Sequence, residues 1–440
     1  MAFEMDEMHK RSLERQKRQE ARRRKERRDR IRLLTALGIL AACGLLIFFT
    51  SLGLEDNPTG QPEQTASDTR PVETKTLQTD TKPGEDTPQS GFQPTSVITF
   101  AAAGDLNITD NVVASGGVNY DYTAAFMDVL PLLSEADLTA LNLEGNVCGA
   151  PYSGESAPQQ LLEALKAAGV DLIQLANSKA INRGVAGLNA TVRSVRAAEM
   201  AAVGAVAEGE EPGAYVIRYV GGVKVAVVAF TKGMDGMAMP VGSEKLVNLL
   251  YTDYASTYKK VDTDGITSLL RKVQSEEPDI TIALLHWGSE YSDVHSATQD
   301  TIRKLMLREG VDAIIGSHPH FVQEMSFDPE NGTFVAYSLG DFFGDATRSG
   351  TAYSVVLELE ITKDNTTGVT KVTDYKYTPI YTVTDDTGML RVLRLEEAIN
   401  AYKTSQVGHV PEEIYNDMVY GLDRLEKRIH PKTEEPEPTE

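Results

Sequence analysis

Three histidines occupy positions in the sequence that favour metal chemistry. His286 ends the apolar run 280–285, which has the composition of a buried strand, and His318 and His320 follow the apolar run 312–316. Pro319 disfavours the helical conformation at His318 and fixes its own φ, so we expect an extended segment that turns both imidazoles to the same side. Two imidazoles held together in this way are typical of metal ligands.

Each of these histidines also has a simpler interpretation. A lone histidine at the end of a buried strand, such as His286, is often a hydrogen-bonded core residue. For His318 and His320 the alternative is a turn that exposes both rings. The location of all three at the predicted carboxyl ends of strands favours the metal hypothesis, because α/β sheets place ligand sites at that edge.

Carboxylates follow two other predicted strands. Asp105 comes directly after Gly104 and the apolar run 97–103, where a glycine allows close backbone approach. In the segment 141–144, the two-residue period of a strand turns Asn142 and Glu144 away from the leucines between them. Carboxylate and imidazole together suit Mn, Fe or Zn, which would activate a bound water or bind an anion.

Motifs of other common chemistries are missing from the sequence. It contains no Gly-x-Ser-x-Gly, no Walker loop and no Gly-x-Gly-x-x-Gly after a strand. Residues 256–259 match Ser-x-x-Lys but lack the accompanying β-lactamase motifs, so we attribute that match to chance.

Short apolar runs alternate with amphipathic segments from residue 96 onward, which predicts an α/β architecture. The predicted strands are 97–103, 138–143, 171–176, 223–230, 280–286, 312–316 and 333–338, followed by 353–361 and 370–383. The predicted helices are 123–134, 158–168, 185–199, 264–275 and 298–309, with a closing helix after Pro411 that packs on the core.

The first 95 residues have a different composition. Residues 1–32 form a basic arm, and the uncharged segment 33–54 is long enough, at about 33 Å as a helix, to cross a bilayer core. The Arg-rich block 22–28 predicts a cytoplasmic N-terminus and a large extracellular part. Residues 55–95 are rich in Thr, Pro and acidic side chains, which predicts a disordered tether reaching about 35 Å.

Two other interpretations of the N-terminal segment compete with an uncleaved anchor. One is a cleaved signal peptide, and the other is a lipoprotein signal, because Leu40-Ala41-Ala42-Cys43 resembles a lipobox. The apolar run continues after Cys43, and the charged segment before it is longer than a usual signal-peptide n-region, which favours the anchor. Cys148 is the only other cysteine, so we expect no disulfide in the extracellular part.

The formal net charge is -21, with 64 acidic against 43 basic residues, which excludes a nucleic-acid binder for the chain as a whole. At 41% hydrophobic residues the chain can bury a core, which excludes a wholly disordered protein. An acidic extracellular part repels polyanions at long range, so binding an anionic polymer would require a local cation such as a metal ion, Lys179 or Arg183.

Six motifs then follow one another, and in this order they resemble the CapA-type poly-γ-glutamate capsule biosynthesis family, which is similar in fold to calcineurin-like metallophosphoesterases. The motifs are Gly104-Asp105, Asn142-Leu143-Glu144, Leu175-Ala176-Asn177, His286-Trp287-Gly288-Ser289-Glu290-Tyr291, Gly316-Ser317-His318-Pro319-His320-Phe321-Val322-Gln323 and Tyr337-Ser338-Leu339-Gly340-Asp341-Phe342-Phe343.

The resemblance covers about residues 96–343 and implies a two-sheet α-β-β-α sandwich with the motifs at one edge. We therefore expect a CapA-like domain at 96–390, C-terminal helices packed on it at 391–430 and a disordered tail at 431–440. The residues that the resemblance maps to the metal site are Asp105, Glu144, His286, His318 and His320. Those expected to lie around the ligands are Asn142, Asn177, Ser178, Glu290 and Asp341.

The sequence departs from the family pattern at one important motif. The family shows Ala-Asn-Asn-His, whereas this chain has Ser178 and Lys179 in place of the second Asn and the His, and Asp341 stands where the family has Asn. Serine is a poor ligand and lysine is a cation that would repel a metal ion. Either the site is degenerate and holds one metal ion or none, with Lys179 in a vacated cation position binding carboxylate or phosphate directly, or one metal ion remains and Lys179 stabilises a developing negative charge.

The sequence thus favours a membrane-anchored extracellular protein of capsule or poly-γ-glutamate biosynthesis, export or attachment, with a partly degenerate site for a divalent ion. Expected partners are an anionic polymer such as poly-γ-glutamate and membrane-bound capsule synthesis proteins. The alternative is an active metal-dependent hydrolase of a phosphoester or amide in the cell envelope. A mere structural spacer is the third hypothesis, which three histidines at strand ends disfavour.

Overall fold

Two β-sheets with helices packed on them make up the part of the chain that the computed structural model describes, which is residues 93–346, 348–385, 387–403 and 411–431. One sheet has eight strands and the other has six. The sequence predicts two sheets covered by helices, and this architecture is confirmed.

Several predicted segments lie outside the described residues. They are the basic arm 1–32, the transmembrane helix 33–54, the tether 55–95 up to residue 92, and the tail beyond residue 431. These segments stay predictions. Among the helices that are described, none is both long enough and apolar enough to span a bilayer.

In chain order, the described strands are β1 (Thr95–Asn107), β2 (Leu138–Glu144), β3 (Leu172–Gln174), β4 (Ala201–Val203), β5 (Tyr215–Val220), β6 (Val223–Thr231), β7 (Ile280–His286), β8 (Ala313–Ser317), β9 (Met325–Asp328), β10 (Thr333–Ala336), β11 (Asp341–Phe343), β12 (Tyr353–Asp364), β13 (Thr370–Thr384) and β14 (Leu390–Arg394). The α-helices in the same residues are α1 (Asp110–Ser115), α2 (Leu130–Ser134), α3 (Gln159–Ala167), α4 (Gly184–Ala197), α5 (Thr263–Gln274), α6 (Ala297–Arg308), α7 (Leu395–Lys403) and α8 (Glu412–Ile429). Short 3₁₀ turns span Gly117–Asn119 and Thr123–Phe126.

Both sheets are mixed. In the first, the strand order is β14-β13-β12-β1-β2-β3-β4; β1 to β4 run parallel, β12 to β14 are antiparallel, and β11 pairs with the end of β1. In the second, the order is β5-β6-β7-β8-β10-β9, with parallel inner strands and antiparallel edge strands. The parallel strands of each sheet therefore direct their carboxyl ends to one edge.

The hydrophobic core explains why the inner strands read as continuous apolar runs. Alternate residues of β6 enter different clusters: Val227 joins the core that the two sheets share, and Val228 packs with Ile266 of α5 and Ile302 of α6. All seven residues of β2 and all seven of β7 are buried. A strand covered on both faces loses the alternating pattern of a half-exposed strand.

Four aspartates repeat one backbone arrangement at the amino ends of parallel strands. Each precedes its strand, donates its N–H to the carbonyl of one residue on the neighbouring strand, and accepts the N–H of that same residue through its carboxylate. The pairs are Asp137 with Thr99, Asp171 with Thr139, Asp279 with Lys224 and Asp312 with Thr281, with carboxylate distances of 2.7 to 3.1 Å. This edge lies opposite the one that carries the histidine motifs.

Most predicted elements are found, with shifts at their ends. The helix predicted at 123–134 is instead a 3₁₀ turn followed by the five-residue α2, which has Pro131 in its first turn. Residues 391–394 belong to strand β14, and helices occupy 395–403 and 412–429. Strands β4, β5, β9 and β11 were not predicted, because they have three to six residues and lie at sheet edges or pair with the end of another strand.

Candidate metal centre

Two groups of potential metal ligands lie at the carboxyl edge of the parallel strands. One consists of Glu144, His286 and His318, and the other of Asp105, His320 and Asp341. Within each group, one donor atom from every residue lies within 4.8 Å of the others. The first sheet provides the three carboxylates, and the second sheet with the loop after β8 provides the three imidazoles.

Strand register brings the carboxylates together. Asp105 stands opposite Asn142 of β2 on one side and Asp341 of β11 on the other. Gly104 permits this arrangement, because a Cβ at that position would lie 1.8 Å from the carbonyl oxygen of Gly340. The Asp105 N–H donates a 2.9 Å hydrogen bond to the same oxygen. The close backbone approach predicted from the Gly-Asp pair is therefore present.

The segment that carries His318 and His320 differs from the prediction. We predict an extended chain, whereas the φ angles are 93° at His318 and 59° at His320, both in the left-handed region. Such conformations cost on the order of 1–3 kcal/mol for a residue other than glycine and cluster at functional sites. The constraint of Pro319 applies to its own φ and to the residue before it, and it does not prevent a positive φ at either histidine. Both rings nevertheless reach the centre.

Buried hydrogen bonds fix the carboxylates. Asp105 is fully buried; its Oδ1 accepts from Asn142 Nδ2 at 2.6 Å and its Oδ2 from the backbone N–H of His318 at 2.9 Å. Burial and the nearby Glu144 raise the pKa of Asp105, against the opposing effect of His286 and His320. Burial acts to raise the pKa of Glu144, but His286, His320 and His318 together outweigh it, so the pKa of this carboxyl is lowered.

Two of the imidazoles, those of His318 and His320, have different electrostatic environments. Burial, with His286 and Lys232 nearby, lowers the pKa of His318 well below its ordinary value. For His320, burial opposes protonation, but Asp341, whose Oδ1 lies 2.7 Å from Nδ1, outweighs it and raises the pKa. The two neighbouring imidazoles thus have pKa values shifted in opposite directions.

The residues expected around the ligands form a connected network. Asn177 Nδ2 donates to Asn142 Oδ1 at 3.0 Å and to the carbonyl of Leu143 at 2.7 Å, and it thereby orients Asn142 toward Asp105. Ser178 Oγ donates to Glu144 Oε1 at 2.7 Å. Glu290, by contrast, is exposed and lines the space beside the centre.

Two buried ring nitrogens support a metal-binding role. His286 Nε2 and His318 Nδ1 are both buried without a hydrogen-bond partner. His286 Nε2 does lie 2.9 Å from Glu144 Oε1, a distance typical of an ion pair, but the contact lacks hydrogen-bond geometry. In the tautomers that leave a lone pair on these atoms, buried nitrogens beside carboxylates fit a metal ion, and a set of nitrogen and oxygen donors suits Mn, Fe or Zn.

Lys232 is a site residue that sequence reasoning missed. Its Nζ donates to the carbonyl of Gly288 at 2.8 Å, lies 3.3 Å from His318 Nε2, and stands 4.7 Å from the centre of the Tyr258 ring. Burial lowers its pKa. The one signal in the sequence is its position, because Lys232 directly follows the last residue of β6.

Two cavities adjoin the centre. The first has a volume of about 300 Å³ and is lined by Lys232, Tyr258 and His318, and the second, of about 210 Å³, is lined by His320, Asp341 and Arg348. Ser178 and Glu290 line both cavities. A ligand in either cavity would therefore contact a candidate metal ligand and a cationic side chain.

The cations near these cavities differ in whether a carboxylate neutralises them. Lys179 Nζ forms an ion pair of 2.6 Å with Asp235, and Arg183 pairs with Glu155 at 3.2 Å. Arg348 lies over the Tyr291 ring at 4.0 Å, and its guanidinium has no carboxylate partner within the described ranges. Of the two cations suggested by the sequence, Lys179 lines the second cavity and Arg183 lines neither.

The sequence is similar to two curated proteins of capsule or PGA biosynthesis. The chain is 26% identical over 287 residues to the capsule biosynthesis protein CapA of Bacillus anthracis, covering 62% of this chain and 66% of that protein. It is 23% identical over 298 residues to the PGA biosynthesis protein CapA of Bacillus subtilis strain 168, covering 64% of this chain and 72% of the relative. The match thus spans slightly less than two thirds of the first relative's length and somewhat more of the second's.

Among solved structures, the calcineurin-like phosphoesterase YfkN of Bacillus subtilis matches 76% of this chain and 98% of its own, with 18% identity and a TM-score of 0.43. The model of the bacterial capsule synthesis protein PGA_cap family matches residues 99–346, which is more than half of the chain. That region contains all six residues of the two ligand groups. The chain belongs to the bacterial capsule synthesis protein PGA_cap family.

Proposed function

We propose that this protein is a membrane-anchored, extracellular component of capsule or poly-γ-glutamate biosynthesis, export or attachment, and that its described domain binds a divalent metal ion beside an anionic polymer. The observation that carries the proposal is the meeting of six potential ligands at one strand edge inside the family region. The names of the two CapA relatives support the assignment to capsule and poly-γ-glutamate biosynthesis.

The residues of the centre have distinct roles in this proposal. A divalent ion bound there would act as a Lewis acid toward a carbonyl or phosphoryl oxygen. Asn142 and the His318 backbone orient Asp105, and Ser178 orients Glu144, all through hydrogen bonds of 2.6 to 2.9 Å. Lys232 and Arg348 provide local positive charge on either side, which an acidic protein needs in order to hold a polyanion.

The N-terminal region completes the proposal. A membrane helix at 33–54 with the basic arm inside would place the domain outside the cell, and the tether 55–95 would keep it near the membrane. Membrane-bound capsule synthesis proteins are the partners that this location would bring within reach. Proteolysis of intact cells would test it: we expect removal of the domain from outside and protection of the arm 1–32. Protection of the whole chain would contradict an extracellular domain.

An active hydrolase of a phosphoester or amide is the second candidate function. It is favoured by the unpaired nitrogens of His286 and His318, which leave ligand positions available. Ser178 and Lys179 weigh against it, because they replace a ligand and a catalytic residue that the family resemblance implies. Loss of both removes more than one role from a two-metal mechanism.

One experiment separates the two candidates. Purified full-length chain in detergent is assayed for metal content, for turnover of bis(p-nitrophenyl) phosphate with added Mn²⁺, and for binding of γ-linked polyglutamate; His318→Ala is the comparison variant. The capsule proposal predicts polymer binding without phosphodiester turnover. Mn²⁺-dependent turnover that His318→Ala abolishes would establish the hydrolase, and absence of both polymer binding and metal would contradict the capsule proposal.

A further inference from the structure

Lys232 is held in a defined position against the group formed by Glu144, His286 and His318. Its Nζ has three neighbours: the carbonyl oxygen of Gly288, the Nε2 atom of His318 and the face of the Tyr258 ring. A carbonyl oxygen and an aromatic face both attract an ammonium group. The surroundings of Lys232 are therefore those of a fixed cation within the candidate metal centre.

This contact favours one tautomer of His318. An ammonium group has three donors and no acceptor, so the tautomer that pairs with Lys232 keeps its lone pair on Nε2, at 3.3 Å from Lys232 Nζ. In a neutral imidazole the hydrogen is then on Nδ1, which is buried without a hydrogen-bond partner. His318 thus directs an N–H donor, and not a lone pair, into the centre.

A metal-binding histidine has the opposite arrangement. The nitrogen that binds the ion presents a lone pair, and the other nitrogen usually donates its N–H to a carboxylate, a carbonyl oxygen or water. Here the other nitrogen faces a donor. Lys232 therefore favours the tautomer of His318 that does not bind metal, and its charge also repels a cation at this group.

The carboxylate of this group already has neighbours within the protein. Ser178 Oγ donates to Glu144 Oε1 at 2.7 Å, and His286 Nε2 lies 2.9 Å from the same oxygen. Ser178 is the residue that stands in the position of an asparagine in the family pattern. The group therefore has fewer metal ligands than the family pattern implies, and it has a protein cation nearby.

The second group, formed by Asp105, His320 and Asp341, has one more potential ligand than the family pattern implies. Asp341 adds a carboxylate where the family pattern has asparagine, and it lies across the β1–β11 pair from Asp105. With His320, whose Nδ1 is 2.7 Å from Asp341 and 3.8 Å from Asp105, this group offers two carboxylates and one imidazole. Such a set suits a single divalent ion.

We propose that Lys232 supplies the positive charge at the Glu144–His286–His318 group in place of a metal ion, and that the centre holds one divalent ion, at Asp105, His320 and Asp341. This inference rests on the proposed metal-binding function and specifies it. It accounts jointly for the loss of asparagine at 178, the gain of a carboxylate at 341 and the position of Lys232.

Counting bound ions tests the proposal. Full-length chain is freed of metal with a chelator and titrated with Mn²⁺; bound Mn²⁺ is counted by elemental analysis and its environment is recorded by electron paramagnetic resonance. The wild type should bind one Mn²⁺ with the spectrum of an isolated ion. Lys232→Met should bind a second ion at least tenfold more tightly than the wild type does and should show the spectrum of a coupled pair.

Two further lysine variants serve as controls. Lys232→Arg keeps a group that only donates and should still bind one ion. Lys179→Met removes a lysine that lines the second cavity and that Asp235 already neutralises, so it should also bind one ion. A second ion in Lys179→Met would show that any loss of positive charge has this effect, and it would overturn the specific role of Lys232.

Variants of the two groups locate the ion. His318→Ala should retain one Mn²⁺ and Asp341→Ala should lose it, with circular dichroism confirming that each variant is folded. The proposal is overturned by two ions or none in the wild type, by a single ion in Lys232→Met with unchanged affinity, or by loss of the ion in His318→Ala. These counts involve no polymer, so a failure of the capsule function would leave them unaltered.

Discussion

The backbone N–H of His318 donates a hydrogen bond of 2.9 Å to Oδ2 of Asp105, 213 positions earlier in the chain. Asp105 belongs to the first sheet, and His318 follows the last residue of β8 in the second. The other oxygen of Asp105 accepts from Asn142. One buried carboxylate thus connects the two sheets at the edge where the candidate ligands meet, so its removal should affect both stability and metal binding.

Asp105→Asn should lower the free energy of unfolding by about 1–3 kcal/mol. The new NH₂ group would face one of the two donors that now bind the carboxylate, Asn142 Nδ2 or the His318 N–H, and that hydrogen bond would be lost. The substitution should also weaken Mn²⁺ binding at the group with His320 and Asp341. Urea unfolding and Mn²⁺ titration measure the two effects. Asp121→Asn, an exposed change of equal charge, is the control; wild-type stability and metal affinity in Asp105→Asn would disprove this role.

Gly104→Ala should be destabilising by about 3 kcal/mol or more, since the added Cβ would lie 1.8 Å from the backbone carbonyl oxygen of Gly340. Displacement of Asp105 should reduce Mn²⁺ affinity at the same time. Thermal unfolding measures the first effect. Gly154→Ala, whose Cβ would be 3.3 Å from its nearest neighbour, should cost about 1 kcal/mol or less. Equal losses in the two variants would refute the steric argument.

Asp312→Asn tests a pH effect at the amino ends of the strands. Burial raises the pKa of Asp312 from 3.8 to about 6, against the hydrogen bond from Thr281. The folded state therefore binds more protons than the unfolded state between these values, and this residue's contribution to stability falls as pH rises through them. The asparagine cannot titrate, yet it still accepts the Thr281 N–H.

The difference in unfolding free energy, variant minus wild type, should therefore increase by up to about 3 kcal/mol from pH 4 to pH 7. Urea titrations at several pH values measure it. The control is Asp171→Asn, which changes an equivalent strand-end aspartate whose carboxylate has Lys166 at 3.0 Å. That variant should lose up to about 1 kcal/mol at neutral pH. A difference for Asp312→Asn that does not vary with pH would contradict the expected titration.

Lys179→Met and Asp235→Asn should each change stability by less than about 1 kcal/mol. The ion pair between these residues is short at 2.6 Å, but both side chains are 39% exposed, and exposed pairs contribute little. A double-mutant cycle in urea should give a coupling energy of about 0.2–1 kcal/mol. A coupling of several kcal/mol would show that the pair instead holds the loop after β6 in place.

The sequence was sufficient to predict the α/β architecture and the strands that end at the centre. His286, Asp105 and Glu144 each end or closely follow an apolar run long enough to be recognised as a strand, and the structure brings them together. Edge strands such as β4 and β9 were missed, because three or four residues are too few for a clear period.

Features that depend on contacts between distant residues were beyond sequence reasoning. Nothing in the local sequence indicates that His318 and His320 take positive φ angles, since the hydrogen bond between Asp105 and the His318 backbone joins different sheets. Lys232 was missed for a related reason. A lysine after a strand is usually solvent-exposed, and its role depends on Gly288, His318 and Tyr258, which come later in the chain.

The aspartates at the amino ends of β2 and β7 fix the distance from that edge of the sheet to the candidate metal ligands. Each strand is seven residues long, with an aspartate before its first residue and a candidate ligand, Glu144 or His286, as its last. Because Asp137 and Asp279 each bind both backbone groups of one residue on the adjacent strand, they fix the register of β2 and β7 at their first residues. Inserting one residue in either strand would advance its ligand by about 3.3 Å and turn it to the opposite face. The position of each ligand thus depends on the number of residues in its strand and on hydrogen bonds at the opposite edge of the sheet.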